Sequence, residues 1–193
     1  MTDLFLASAS PRRAALLQQA GIPFRLFPVD IDESWLPGET LRDYVSRLAA
    51  AKARTAAEQL PAGSVVLAAD TAGSCEDHRL VKPLGEDDAV RMLLQMSGRP
   101  HTVSTAISVC QGQRLETRVV DSTVYFRRLS EAECRRYWAT GEPCDKAGSY
   151  AIQGYGAVFV ERIEGSYSGV VGLPLCETAA LLSDFGIACW QQS

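Results

Sequence analysis

The sequence predicts an α/β fold with a mixed β-sheet, because short apolar runs alternate with segments of helical periodicity along the chain. Residues 4–7 form a short apolar run, a helical segment follows over residues 11–20, and apolar and polar side chains alternate over residues 24–29. This order indicates a β-α-β unit at the start. With 193 residues the chain can bury a substantial core, and we expect a single domain over residues 1–193.

The first helix has clear boundaries but an unusual first turn. Ser10 is a good N-cap, Pro11 suits the first helical position, and Gly21 favours the end of the helix. Arg12 and Arg13 then lie at the positive end of the helix dipole, where each costs about 0.3–1 kcal/mol unless an anion is bound. Backbone N–H groups and two guanidiniums would converge on such an anion, and a polyphosphate suits that geometry. The alternative is a solvated turn with two surface arginines.

A second helix and a central strand place charged side chains among apolar ones. Thr40 caps a helix that extends to about residue 60, and Lys52 falls on its apolar face. Lys52 either extends to the nearby surface or has a functional role. Residues 64–71 form a nearly continuous apolar run that predicts a buried strand with Asp70 at its end. Ligands bind beyond the carboxyl ends of such strands, so Asp70 is a candidate for chemistry, although aspartate is also a common turn residue.

The rest of the chain continues the alternation of helices and strands. The pattern predicts, in order, a helix over residues 86–96, a strand pair over residues 102–110 and 116–126, a helix from the Ser130 capping box to Gly141, a strand over residues 157–162, and a final helix ending near residue 186. Pro83 holds Lys82 in an extended conformation. The glycine-containing segment 145–156 is typical of a binding loop.

The composition argues against several classes of function. The net charge of −4, from 19 basic and 23 acidic residues, provides no general field for a nucleic-acid polymer. The six cysteines include no C-x-x-C pair, and only two histidines accompany them, so neither a disulfide framework nor a zinc cluster is predicted. The first residues lack the features of a signal peptide or a membrane span. We therefore expect a cytoplasmic protein with no membrane partner.

Several short motifs, in this order and spacing, together resemble the Maf family. They are Ser8-Ala9-Ser10-Pro11-Arg12-Arg13, Ala69-Asp70-Thr71, Lys82-Pro83, Ser97-Gly98-Arg99, the segment 145–154 and the segment 165–174. The resemblance implies a nucleoside triphosphate pyrophosphatase that needs a divalent metal and releases a nucleoside monophosphate and pyrophosphate. It also implies an elongated α/β fold, related to inosine triphosphatase, with a deep cleft between two lobes.

The resemblance also implies roles for individual residues. The cations that would neutralise phosphate charge are Arg12, Arg13, Lys52 and Lys82. Asp70 would either accept a proton from the attacking water or only hold a metal. Glu33 and Asp70 would bind Mg²⁺ or Mn²⁺. The residues expected to contact substrate are Ser8, Ser10, Arg12, Arg13, Thr71 and Gln153.

Within the family, Arg12, Thr71 and Gln153 occupy the positions that separate the subgroups. A branch that hydrolyses 7-methyl-GTP carries tryptophan, glutamine and glutamate there, and this chain has none of the three. The Gln153 amide offers one donor group and one acceptor, which fits the edge of uracil or thymine. The resemblance therefore favours dTTP and UTP as substrates and a role in cleansing the nucleotide pool. The alternatives are 7-methyl-GTP hydrolysis and a non-catalytic, nucleotide-binding regulator of septum formation, and both a monomer and a homodimer remain open.

Overall fold

The computed structural model describes residues 3–190, which form an α/β structure with a seven-stranded mixed sheet. The strands are β1 Leu4–Leu6, β2 Arg25–Leu26, β3 Val65–Cys75, β4 His78–Leu80, β5 Pro100–Gln111, β6 Arg114–Phe126 and β7 Val160–Glu164. The helices are α1 Pro11–Gln19, α2 Leu41–Gln59, α3 Glu86–Met96, α4 Glu131–Trp138, α5 Tyr167–Val171 and α6 Leu175–Ser183. Short 3-10 turns cover Glu142–Asp145, Ala147–Ser149 and Tyr155–Phe159. The strand order is β2-β1-β3-β5-β6-β7, and β4 pairs with β3 outside this path.

The chain divides into two compact units. The first contains residues 1–71, 105–120 and 172–193, and the second contains residues 72–104 and 121–171. In the first unit β1 pairs in parallel with β2 and β3, and Phe5 lies opposite Arg25 and Val66. In the second unit β3 pairs with β4 and β6 with β7, both antiparallel. This combination confirms the predicted mixed sheet, whereas the expectation of a single domain stays a prediction.

Small side chains let α2 pack closely on the sheet of the first unit. Ala53 and Ala56 are fully buried and share a core cluster with Phe5, Val66 and Ala68. Close packing of this kind leaves little space around a longer side chain on the same face of the helix. Lys52 lies one turn before Ala56 on α2 and is also buried. Its ammonium group therefore requires a partner inside the protein.

An aromatic cluster forms part of the core of the second unit. Phe126 contacts the rings of His101 and Tyr150, each with centroids 4.8 Å away, and it also packs beside Phe159. The Tyr150 hydroxyl and His101 Nε2 are hydrogen-bonded at 2.8 Å. Burial lowers the pKa of His101 to about 4, so the ring is neutral at pH 7. His101 is therefore a core residue that holds the Tyr150 side chain in place through this hydrogen bond.

The predicted helices agree well with the structure, and the predicted strands agree less well. The helix α3 has the predicted bounds, Ser10 caps α1, and Ser130 and Glu133 form the predicted capping box of α4. The predicted strand over residues 24–29 was too long, because only Arg25–Leu26 pair with β1. The strand predicted over residues 157–162 begins only at Val160, after a 3-10 turn.

The position of Asp70 in its strand was also predicted wrongly. The strand β3 does not end at residue 71 but continues to Cys75, so Asp70 lies inside the strand. Residues 72–75 lack a continuous apolar run, and their strand conformation depends on pairing with β4. Glu76 adopts a positive φ of 52° in the connecting turn. The dipeptide Glu-Asp does not predict such a turn, whereas Asn-Gly would have predicted it.

Among the described residues, no helix combines the length and apolar character required to cross a membrane.

Candidate active site

Two carboxylates meet one ammonium group in the first unit. Lys52 Nζ lies 2.7 Å from Asp70 Oδ1 and 2.6 Å from Glu33 Oε1. The side chains of Lys52 and Asp70 are only 11% and 10% exposed, whereas that of Glu33 is 56% exposed. Lys52 therefore does not extend to the solvent, which was the alternative left open by the sequence. With all three groups ionised, the cluster carries one negative charge and can attract another cation.

The environment of Asp70 acts on its protonation in two opposite directions. Burial raises the pKa of Asp70, while the positive charges of Lys52 and Arg13 and the hydrogen bond from Lys52 oppose this effect. The net effect is a pKa above the ordinary value of an aspartate. A raised carboxylate pKa makes the group a better proton acceptor, as general-base catalysis requires. The geometry therefore permits Asp70 to orient and deprotonate a water molecule.

Arg13 joins three segments of the first unit through its guanidinium. Nε donates to the carbonyl of Gly172 at 2.9 Å, Nη1 donates to Ser8 Oγ at 3.2 Å, and Nη2 donates to Thr71 Oγ1 at 3.2 Å. These bonds occupy three of the five N–H donors of an arginine. The other donors can serve an anion at the start of α1, where Ser10 caps the helix and Arg12 is exposed.

The loop that carries Glu33 is fastened to α2. Tyr44 donates its hydroxyl hydrogen to the Glu33 carbonyl at 3.0 Å, and its ring stacks on Trp35 with centroids 3.6 Å apart. Arg47 donates to the Ser34 carbonyl at 2.9 Å and forms a two-bond pair with Glu39 at 2.6 and 2.9 Å. These contacts fix the backbone from the Glu33 carbonyl to residue 35. They can therefore hold the Glu33 carboxylate near Lys52.

Removing either member of the Arg47–Glu39 pair should destabilise the protein. The Glu39 side chain is only 6% exposed, and a buried polar group that loses its partner costs about 1–3 kcal/mol. We expect Arg47→Ala and Glu39→Ala each to lower the free energy of unfolding by that amount in urea titrations. The double variant should lose less than the sum of the two, whereas Arg54→Ala, an exposed position on α2, should change little. Additive losses from the two substitutions would contradict the coupling.

The structure places most of the predicted site residues in the first unit. Those brought together there are Ser8, Ser10, Arg13, Glu33, Lys52, Asp70 and Thr71. Lys82 and Gln153 belong to the second unit and are exposed. Sequence reasoning missed the contributions of Tyr44, Arg47 and Glu39, although the spacing of Tyr44 and Arg47 on one helical face was a usable signal. It also missed the Gly172 carbonyl, for which no local pattern exists.

The donor set of the cluster suits a magnesium-like ion. One carboxylate oxygen of Glu33 and one of Asp70 face the same cation, the Lys52 ammonium group. Within residues 3–190, no group of three or more histidine, cysteine, aspartate or glutamate side chains forms a metal cage. Mg²⁺ commonly binds through one or two carboxylates and completes its shell with water and substrate phosphates. Two carboxylates therefore fit this ion, while a closed zinc site would need more ligands.

Comparisons with known proteins identify the family to which the chain is similar. The family model described as Maf-like protein matches residues 3–185. A dTTP/UTP pyrophosphatase of Pseudoalteromonas atlantica is 50% identical over 96% of this chain and 98% of its own. A dTTP/UTP pyrophosphatase of Methylobacillus flagellatus is also 50% identical, over 97% of this chain and 95% of its own.

A solved structure provides an independent comparison of the fold. The HAM1 protein from Coxiella burnetii matches with a TM-score of 0.55 and covers 95% of this chain and 100% of its own, although only 16% of the sequence is identical. This similarity confirms the predicted fold class. Because the family model covers residues 3–185 and close relatives match almost end to end, the chain belongs to the Maf family.

Proposed function

We propose that this protein hydrolyses dTTP and UTP between the α- and β-phosphates, yielding the nucleoside monophosphate and pyrophosphate. The observation that carries this proposal is the buried Lys52–Asp70 pair with Glu33 beside it, in the same unit as the Arg13 guanidinium. Relatives at 50% identity bear the name dTTP/UTP pyrophosphatase, which supports the choice of substrates. Non-catalytic nucleotide binding is less well supported, because such a function does not need a buried base beside two cations.

Each group in the cluster has a task in this reaction. Water attacks phosphorus, the bridging P–O bond breaks, and the water proton must be removed. Asp70 accepts that proton or orients the water, since its pKa is raised and its side chain is mostly buried. Lys52 holds Asp70 in place by a 2.7 Å bond. Arg13 and the N-terminus of α1 stabilise the negative charge that develops on the phosphate oxygens.

A divalent metal completes the proposed site. Glu33 and Asp70 would hold Mg²⁺ or Mn²⁺ through their carboxylate oxygens, because both oxygens already face the Lys52 ammonium. When bound, the metal neutralises phosphate charge and lowers the pKa of its bound water. The protein supplies the oriented carboxylates and the neighbouring cations.

We also assign roles to the other residues expected to contact substrate and to the setting of the reaction. Lys82 would neutralise further phosphate charge, and Gln153 would hydrogen-bond the pyrimidine edge with its amide donor and acceptor. Arg12 and Thr71 would take part in substrate selection. We propose a cytoplasmic role in cleansing the nucleotide pool, independent of nucleic-acid polymers and membranes, with a homodimer as the assembly to test.

The first test is the identity of the products. With Mg²⁺ or Mn²⁺ present, UTP and dTTP should each yield monophosphate and pyrophosphate in equal amounts, as measured by ³¹P NMR. Release of single phosphates in succession would contradict the proposed cleavage site.

A second test is the choice of base, for which 7-methyl-GTP should be a poorer substrate than UTP or dTTP. This chain has Arg12 where the other branch has a tryptophan, so the cationic base would meet a positive charge instead of an aromatic ring. A preference for 7-methyl-GTP would instead assign the protein to that branch.

A further inference from the structure

Glu142 forms a hydrogen-bonded frame around a loop in the second unit. Its Oε1 accepts from the Tyr137 hydroxyl at 2.6 Å and from the Gly156 amide at 2.9 Å, while Oε2 accepts from the Tyr155 amide at 2.9 Å. Burial acts to raise the pKa of Glu142, but these bonds outweigh that effect and hold the pKa below its ordinary value. The group is therefore an ionised carboxylate used only as an acceptor.

Tyr137 extends this frame to the other end of the loop. Its hydroxyl donates to Glu142 and accepts from the Ala151 amide at 3.1 Å. Burial and the bond to Glu142 raise the pKa of Tyr137, so the hydroxyl keeps its proton. One buried hydroxyl and one carboxylate thus fix the backbone at residue 151 and at residues 155 and 156. Gln153 lies between these points and is exposed.

Close contact between the loop and the two framing side chains leaves no room for a Cβ atom at two loop positions. A Cβ atom added at Gly154 would lie 1.8 Å from Glu142 Oε2, and one added at Gly156 would lie 2.7 Å from the Tyr137 hydroxyl oxygen. Both distances are shorter than Cβ atoms in folded proteins show, so only glycine lets the backbone lie this close to Glu142 and Tyr137. The two glycines that follow Gln153 are therefore required for the loop to pack against Glu142 and Tyr137.

We propose that Glu142 and Tyr137 are positioning residues for base selection, which hold the peptide that projects Gln153 toward the pyrimidine. This inference rests on the proposed function, because it assigns Gln153 to the base. Uracil and cytosine present opposite hydrogen-bonding groups at positions 3 and 4, and an amide that can turn over accepts both. A fixed loop restricts the amide to one orientation, so the preference for UTP over CTP depends on the frame.

The substitution Glu142→Gln tests the frame with almost no change of shape. An amide nitrogen cannot accept a hydrogen bond, and in either orientation it would face the N–H of Tyr155 or that of Gly156. Tyr137→Phe is the second variant and removes the hydroxyl that links Glu142 to Ala151. Glu161→Gln, an exposed carboxylate on β7, is the matched control for the loss of charge.

The expected result is a loss of selectivity with little loss of chemistry. Misplacing a recognition group by about 1 Å can cost about 10²-fold, so the UTP to CTP ratio of kcat/KM should fall at least about tenfold in Glu142→Gln. KM for UTP should rise while kcat stays within about threefold. The inhibition constant of inorganic tripolyphosphate, which has no base, should not change. The amides of Tyr155 and Gly156 should lose protection in hydrogen exchange, and the control should match the wild type.

Other outcomes would contradict the inference, each in a recognisable way. An unchanged UTP to CTP ratio in a variant with exposed amides would overturn the role of the frame, and so would an equal weakening of UTP and tripolyphosphate. If Glu142→Gln does not fold, Tyr137→Phe decides by the same measurements. If the wild type cleaves no UTP, the proposed function fails. Equilibrium binding of UTP and CTP to the wild type and the variants then still tests the frame.

Discussion

Replacing Asp70 by asparagine is expected to lower kcat for UTP hydrolysis by about 10²–10⁴, the usual loss when a general base is removed. Asparagine has nearly the same shape, and its side-chain oxygen can still accept from Lys52, which lies 2.7 Å from Asp70 Oδ1. Lys52 also keeps its pair with Glu33, so the fold should persist. The measurement is kcat under saturating UTP and metal, together with the thermal unfolding midpoint.

The matched control for this substitution is Asp77→Asn, in the exposed turn between β3 and β4. It removes the same charge and should leave turnover close to that of the wild type. Titration of Mn²⁺ separates the two roles of Asp70: a ligand would show a raised metal requirement with partly recovered turnover, and a base would not recover. Turnover near the wild-type value in Asp70→Asn would remove Asp70 from the mechanism.

The second large effect is expected for Arg13. Removing one group that stabilises transition-state charge commonly costs about 10²–10³ in kcat, and we expect Arg13→Ala to lose that much in kcat/KM. Arg13→Lys retains the charge but not the planar fork that reaches Gly172, Ser8 and Thr71. The lysine variant should therefore recover only a small part of the activity. Steady-state kinetics with UTP and the inhibition constant of tripolyphosphate measure both losses.

Arg54→Ala provides the control for Arg13, because Arg54 is exposed on α2. It should bind tripolyphosphate as the wild type does. If Arg13→Ala retains full kcat/KM but unfolds at a lower temperature, the three hydrogen bonds serve the fold alone. A lysine variant with full activity would show that the charge suffices and the fork is dispensable.

The elements predicted well from sequence are those defined by local chemistry. Ser10 and Ser130 each precede a helix that they cap through their own side chains, so a few neighbouring residues contain the whole signal. Strand limits depend instead on partners far along the chain. The last residues of β3 pair with β4 across a Glu76-Asp77 turn. The sequence of residues 71–75, Thr-Ala-Gly-Ser-Cys, contains no pattern that predicts this pairing.

The candidate site was predictable only in part for the same reason. Family motifs contain Asp70 and Arg13. Lys52 was indicated by its position on the apolar face of α2, which left open whether its ammonium group lies at the surface or in the interior. The buried pair with Asp70 answers this question. Hydrogen bonds between residues distant in sequence, such as Arg13 to Gly172, have no period or composition to reveal them. Glu142 was missed because a carboxylate that binds backbone amides looks like any surface glutamate in sequence.

The three hydrogen bonds of Arg13 also bear on the thermodynamics of ligand binding. A free arginine side chain loses conformational entropy worth about 2 kcal/mol when it becomes ordered. In this protein the Gly172 carbonyl and the Ser8 and Thr71 hydroxyls already restrict the side chain. Folding has therefore imposed most of that loss before an anion arrives, and the guanidinium is preorganised. Anion binding at Arg13 should consequently show a smaller entropic penalty in calorimetry than binding at the exposed Arg12.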